Sequence, residues 1–308
     1  MSTTEFFTLK SNADGLGLSM MLVRPEGEIR GLVQLAHGMC EHKGRYEPFM
    51  RYLADRGCLC VMNDHRGHGA SVRAPEDLGY FYEGGAAALV EDLHQITLWM
   101  KGKWPDLPLI LFGHSMGSMA VRAYCEKYDS ELDGLIVCGS PGYNAAAGAG
   151  LLLLNIMAKF KGERYRSKLI KNLTTGAFSK PFRHEGGSNA WLSADPENVR
   201  AFKADPLCGF DFTLNGNRAL LTLMQRAYGL KSPRANPGMP VRFYSGEKDP
   251  CAPNPEGFQA AVEAMKKAGY SDVQGRMFPG LRHEILNETN KEEIYDTIWK
   301  EAIEPNIK

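Results

Sequence analysis

An α/β fold with a mostly parallel sheet and an inserted helical cap is predicted by three observations. Short apolar runs alternate with amphipathic helical segments at both ends of the 308-residue chain. Gly113-His114-Ser115-Met116-Gly117 lies between an apolar run and a segment of helical spacing. In the middle, residues 141–236 show helical patches and no convincing strand. Short, continuous apolar strands separated by helices are what a parallel sheet covered on both faces requires.

Taken in order, residues 5–10 and 16–24 form an opening antiparallel pair around the turn signal Asn12-Ala13-Asp14-Gly15. A strand over 32–36, a helix over 46–55 and a strand over 58–62 follow. The helix over 86–101 carries Leu89, Leu93, Ile96 and Met100 on one face. Strands over 109–112 and 135–138 flank the Ser-bearing turn and its helix. The rhythm stops at Ser140-Pro141-Gly142 and resumes near Pro240. A strand at 241–245, a helix near 256–268, a strand near 273–278 and a helix from about 290 to 303 close the chain. The body is therefore read as 1–140 with 237–308, and the cap as 141–236.

Composition narrows the function. Charge is balanced, 36 Lys and Arg against 36 Asp and Glu, so nothing global points to nucleic acid. Residues 1–12 lack the basic start and apolar centre of a secretion signal, and no apolar run is long enough to span a bilayer. Seven Cys, an odd number without a Cys-x-x-Cys pair, suit reduced thiols in a cytoplasmic protein. Cys58 and Cys60 are expected on opposite faces of their strand.

A Ser at a strand-to-helix turn stands proud of the sheet on a cramped backbone, so its neighbours must be small. It needs a base, itself oriented by a third group. Two His follow Ser115 in the chain: His184, inside the cap, and His283, just past the last strand and Pro279-Gly280. His283 has the right place for the base. Glu247 and Asp249 compete as the acid; Asp249 is favoured because Pro250 restricts its backbone and a short side chain suits a buried orienting role. Asp272 precedes the last strand and lies at the wrong end of the sheet. The amide of Met116 and that of Met39, beside the permissive Gly38, are the expected oxyanion donors. His37, His42, His65 and His68 match no standard zinc spacing and are read as turn-stabilising, so no metal or cofactor is expected. Gly67-His68-Gly69 lacks the remaining Gly and the Lys of a phosphate loop.

These segments resemble the monoacylglycerol lipase and lysophospholipase-like α/β-hydrolases. The resemblance rests on His37-Gly38 with Glu41-His42 and Arg45-Tyr46, on Asp64 to Ser71, on the Gly113–Gly117 turn, and on Gly280 to Glu288 around His283. It implies an α/β-hydrolase fold of eight mostly parallel strands and hydrolysis of carboxylic esters. It also implies Ser115, Asp249 and His283 as triad and the Met39 and Met116 amides as oxyanion hole. The chain departs from the family at Ser118, where many members have a second Gly, and at Pro250-Cys251 after the acid. The cap matches nothing residue by residue.

The cap's own composition bears on substrate. It holds 14 Lys and Arg against 6 Asp and Glu, and the body carries the opposite excess. Leu151 to Leu154, Ile156 and Met157 precede Lys159, Lys161, Arg164, Arg166 and Lys168. That pattern fits an interfacial helix on an anionic surface, but the reading that weighs more is a Leu run packed on the body with its charges in water, because a cap helix must be buried somewhere. Leu207, Phe210, Phe212 and Leu214, with Leu220 and Leu221, are candidates to wall an acyl chain. The expected activity is a serine esterase acting on a monoacylglycerol, a lysophospholipid or another small acyl ester. The same triad used on a thioester, a peptide or a carbon–carbon bond is the nearer alternative, and a non-catalytic scaffold for an acyl ligand the farther one.

Overall fold

The computed structural model describes residues 2–307 except 186, 232 and 253. Eight strands form one sheet in the order β1-β2-β4-β3-β5-β6-β7-β8. They are β1 (Thr3–Lys10), β2 (Gly17–Arg24), β3 (Gly31–Ala36), β4 (Cys58–Asn63), β5 (Leu109–His114), β6 (Gly134–Cys138), β7 (Val241–Gly246) and β8 (Val273–Phe278). β1 pairs antiparallel with β2, and β2 antiparallel with β4; β4, β3, β5, β6, β7 and β8 run parallel. All six residues of β3, β4 and β5 are buried, as expected of central parallel strands.

Alternate residues of each strand feed two cores. Leu109 and Leu111 of β5 face one side, where Leu89, Leu93, Ile96 and Met100 of α2 (Gly85–Lys103) pack with α3 (Met116–Tyr128). Ile110 and Phe112 face the other, against Phe49 and Leu53 of α1 (Glu47–Ala54). Ile294 and Ile298 of the closing helix, Lys291–Ile298, join that second core. The closing helix widens into a π-type turn over Trp299–Ile303. Cys58 and Cys60 both lie in the second core, not on opposite faces. Strand side chains alternate with period two, so positions two apart share a side. All seven Cys are free thiols.

Between β6 and β7 the described residues form helices and connecting loops, with no strand among them. They form α4 (Ala147–Lys161), α5 (Lys168–Leu173), α6 (Thr175–Phe178), α7 (Pro196–Ala204) and α8 (Leu214–Tyr228). Local chemistry starts the last two. Asp195 caps α7 by accepting the Glu197 N–H, with Pro196 at the first helical position. Thr213 caps α8 by accepting the Gly216 N–H. α8 packs on α2 and α3, and α4 packs along α8, so this region is tied to the body through one helix above all.

The turn after β4 is fixed by a buried ion pair. Arg66 is fully buried; its Nε donates to Asp92 Oδ2 at 2.8 Å and its Nη1 to Asp14 Oδ2 at 3.1 Å. This joins the β1–β2 turn, the β4 turn and α2. Asp92→Ala leaves the guanidinium short of a partner in the core, and is expected to cost about 3–5 kcal/mol of stability, read by urea denaturation. A loss within about 0.5 kcal/mol, as at an ordinary surface site, would contradict that account.

Candidate active site

β5 leads straight into Ser115, and α3 begins at the next residue. Ser115 has φ 52° and ψ −116°, a region L-residues avoid. Its amide donates to the Cys138 carbonyl at 2.9 Å, anchoring the turn on β6. The two flanking glycines have steric reasons. A Cβ on Gly117 would fall 2.1 Å from the Ala36 carbonyl oxygen, and one on Gly113 would fall 2.4 Å from the Gly117 oxygen. The turn thus requires α3 to start against the end of β3. Ser118, the departure from the family pattern, donates its hydroxyl to the Ser115 carbonyl at 2.5 Å and so braces the same turn.

The loop after β3 is held by neutral imidazoles. His37 Nδ1 is 2.7 Å from the Gly38 carbonyl, which can only accept, so Nδ1 carries the hydrogen. Its Nε2 then accepts the His65 N–H at 2.9 Å, and His65 Nε2 donates back to the His37 carbonyl at 3.2 Å. Burial, with the neighbouring His68, drives the His37 pKa down to about 3. His68 stands edge-on to Phe81, Phe210 and Phe212, and burial lowers its pKa to about 4. These rings are buried structural hydrogen-bonders. His42 is apart from them and bonds Asp205 at 2.8 Å.

The loop after β7 and the loop after β8 bring Asp249 and His283 together. His283 Nδ1 lies 2.9 Å from Asp249 Oδ2, and both side chains are buried. Asp249 Oδ1 accepts the Cys251 N–H at 2.9 Å, so the backbone that Pro250 constrains also fixes the carboxylate. Burial, the largest single influence, pulls the His283 pKa down, but the Asp249 charge and hydrogen bond, together with the charges of Glu284 and Glu41, outweigh it and leave the ring above its ordinary value. Glu247 is exposed and accepts the Gly280 N–H at 3.1 Å, away from the ring. The His184 side chain is 77% exposed.

Ser115 and His283 line one cavity, of about 200 Å³, together with Glu41, Lys171, Asp211 and Asn217. A second cavity, of about 390 Å³, is walled by Met116, Met119, Leu220, Leu221, Met224 and Phe178. Met39, Ser115, Thr174 and Trp191 border both. Among the described residues no hydrogen bond joins Ser115 to His283; in unliganded enzymes such contacts are often long and tighten with substrate. Among the described residues, too, no acceptor pairs with the Met39 or Met116 amide. Phe210 and Phe212 line the smaller cavity, the more polar of the two. Leu214 is instead buried against Leu154 and Ile170 under α4, and Leu207 borders neither cavity. Sequence reasoning missed Glu41, Tyr46 and His114 as parts of the site. Their signal was their place inside the motifs around Gly38 and Ser115.

Residues 27–290 match the family described as serine aminopeptidase, S33 (Hydrolase_4). A monoacylglycerol lipase of Mycolicibacterium smegmatis is 32% identical over 279 residues, covering 89% of this chain and 88% of that protein. A probable lysophospholipase L2 of Haemophilus influenzae is 26% identical over 150 residues, 47% of this chain and 46% of that one. Among solved structures, a thermostable carboxyl esterase from Bacillus coagulans, in complex with glycerol, superposes with a TM-score of 0.87. It is 25% identical and covers 97% of this chain and 98% of its own.

Proposed function

The chain belongs to the serine aminopeptidase, S33 (Hydrolase_4) family and is a carboxylic ester hydrolase, and from that premise we propose that it cleaves monoacyl lipids through an acyl-enzyme on Ser115. Ser115 Oγ attacks the acyl carbonyl while His283 Nε2 takes its proton. The Met39 and Met116 amides receive the negative charge of the tetrahedral intermediate. His283 returns the proton to the departing alcohol, then activates water to free the acid. Asp249 holds the Nδ1–H tautomer and balances the imidazolium.

The observation that carries this reading is the position of Ser115 at the fork of two cavities, with His283, paired to the buried Asp249 behind it, on the wall of one. The larger, apolar cavity suits an acyl chain. The smaller, more polar one suits a hydroxylated head group such as glycerol or a lysophospholipid head. An aminopeptidase would need an uncompensated carboxylate for the substrate's ammonium group. Glu41 and Glu284 on the polar cavity are matched by Arg45, and Asp211 by Lys171 at 2.6 Å. This charge balance favours an ester over a peptide. Monoacylglycerols, lysophosphatidylcholine, p-nitrophenyl esters and amino-acid anilides should be assayed side by side. Turnover of the anilides with all esters untouched would sink the proposal.

The helices between β6 and β7, in residues 141–236, act as a cap over this fork, and a second reading gives α4 a docking role. Leu152, Ile156 and Phe160 are exposed, Phe160 at 81%, and Lys159 and Lys161 stand beside them. Arg164 and Arg166 are engaged by Asp77 and by the Glu76 and Leu78 carbonyls, so the lysines supply the charge. An apolar face rimmed by Lys fits the surface of an anionic bilayer, where the lipid substrate resides. No helix among the described residues is long and apolar enough to cross one. Phe160→Ser should weaken binding to phosphatidylglycerol vesicles about tenfold. Lys159→Glu with Lys161→Glu should remove most of its salt dependence. Vesicle binding unchanged in both variants would refute docking through α4.

A further inference from the structure

Glu41, a buried carboxylate on the loop after β3, ties together the three segments that the proposed reaction uses. Its Oε1 accepts the Gly38 N–H at 2.6 Å and the Tyr46 hydroxyl at 2.7 Å; its Oε2 accepts from Arg45 Nη1 at 2.8 Å. Gly38 directly precedes Met39. A Cβ on Gly38 would fall 2.6 Å from Glu41 Oε1 and 3.1 Å from the Ser115 Cβ, so the loop is wedged between carboxylate and nucleophile.

From Glu41 two paths reach the base. The Tyr46 hydroxyl stands 2.9 Å from His114 Nδ1, and on the far side of that ring Nε2 is 3.2 Å from the His283 carbonyl oxygen. A carbonyl only accepts, so His114 Nε2 carries a hydrogen and donates it there. Along the other path, Arg45 grips Glu284, the residue after His283, with two bonds of 2.7 Å. Glu284 also accepts from Asn198 of α7 at 2.7 Å. Burial alone would favour a neutral Glu41, but its bond to His114 and the Arg45 charge prevail and hold its pKa well below the ordinary carboxylate value.

We propose that Glu41 is a positioning residue for ester hydrolysis: it fixes the Gly38 amide, and with it the Met39 amide, relative to the backbone that carries His283. This rests on the Ser115 reading and deepens it. An oxyanion donor acts only when held within hydrogen-bond reach of the place where charge develops. The loop carrying Met39 has left the sheet ladder, and Gly38 adds conformational freedom that something must remove. A charge-assisted bond from a carboxylate that is itself clamped by Tyr46 and Arg45 removes it. Neither Glu41 nor Tyr46 touches the reacting atoms, and the amide that Glu41 fixes acts on charge that develops only in the transition state, so with an ester that has no polar head group the effect falls on the chemical step.

Glu41→Gln keeps an acceptor facing Gly38 but loses the charge; Tyr46→Phe keeps the Glu41 charge and its Arg45 and Gly38 partners, and removes the Tyr46 clamp together with the path to His114. With a soluble p-nitrophenyl ester, Glu41→Gln should lower kcat about 30- to 100-fold and Tyr46→Phe about 5- to 10-fold, both with KM within about threefold of wild type. Thermal melting reports folding in parallel. A folded Glu41→Gln protein with kcat within about twofold of wild type, or one whose loss lies in KM, overturns the proposal. Should Glu41→Gln not fold, Tyr46→Phe decides alone by the same split. Wild-type protein that hydrolyses no ester, or Ser115→Ala that still does, indicts the Ser115 reading instead.

Discussion

Ser115→Ala is expected to leave a folded protein that hydrolyses acyl esters about a millionfold more slowly than wild type. The side chain's hydroxyl is the nucleophile in the proposed mechanism, and neither His283 nor the loop amides can replace it. What remains is the modest acceleration from binding and from the oxyanion donors. The same position carries a second signature. At φ 52° the backbone is strained for any residue with a Cβ. Ser115→Gly should therefore be as inactive as Ser115→Ala yet more stable than it by about 1 kcal/mol. Initial rates, fluorophosphonate labelling and urea denaturation of the three proteins read both effects. Esterase activity persisting in the Ala variant would end the proposed mechanism.

Asp249→Asn should lower kcat about ten-thousandfold, because the amide no longer enforces the Nδ1–H tautomer or balances the imidazolium. The pH profile gives an independent check. Asp249 holds the His283 pKa above its ordinary value, so the acid limb of kcat/KM lies above the ordinary titration of His. Removing that charge lowers the pKa, and the limb of the residual activity moves to lower pH. Glu247→Gln touches neither term and should change kcat less than about twofold. Equal losses at Asp249 and Glu247 would mean that the wrong carboxylate has been placed beside the base.

Most of the fold is legible in the sequence because its signals are local. The β3, β4 and β5 runs are wholly buried, so each reads as an uninterrupted apolar stretch. The Gly113–Gly117 turn is legible because steric demand fixes residue types at fixed offsets. Pairing across the fold is not written locally. The Arg45–Glu284 pair spans 239 positions, and its partners look in isolation like ordinary surface charges. The cap shows the limit most clearly. Phe210 and Leu214 are both apolar and four positions apart, yet one lines a cavity and the other is buried beneath α4. Which way each turns depends on where Thr213 starts α8, a cap that the apolar pattern does not reveal. Cys58 and Cys60 share a side for a simpler reason: strand side chains alternate with period two, so positions two apart face the same core.

The fork at Ser115 also dictates a sequence of departures. In the proposed mechanism, with the acyl chain seated among Met119, Leu220 and Met224, the alcohol would drain through the more polar branch while its former partner stays tethered. Water then enters by the branch just vacated, and any small alcohol present competes with it there. On this mechanism added glycerol diverts acyl groups into new ester, whereas free fatty acid, returning to the vacant greasy branch, competes with the lipid for entry.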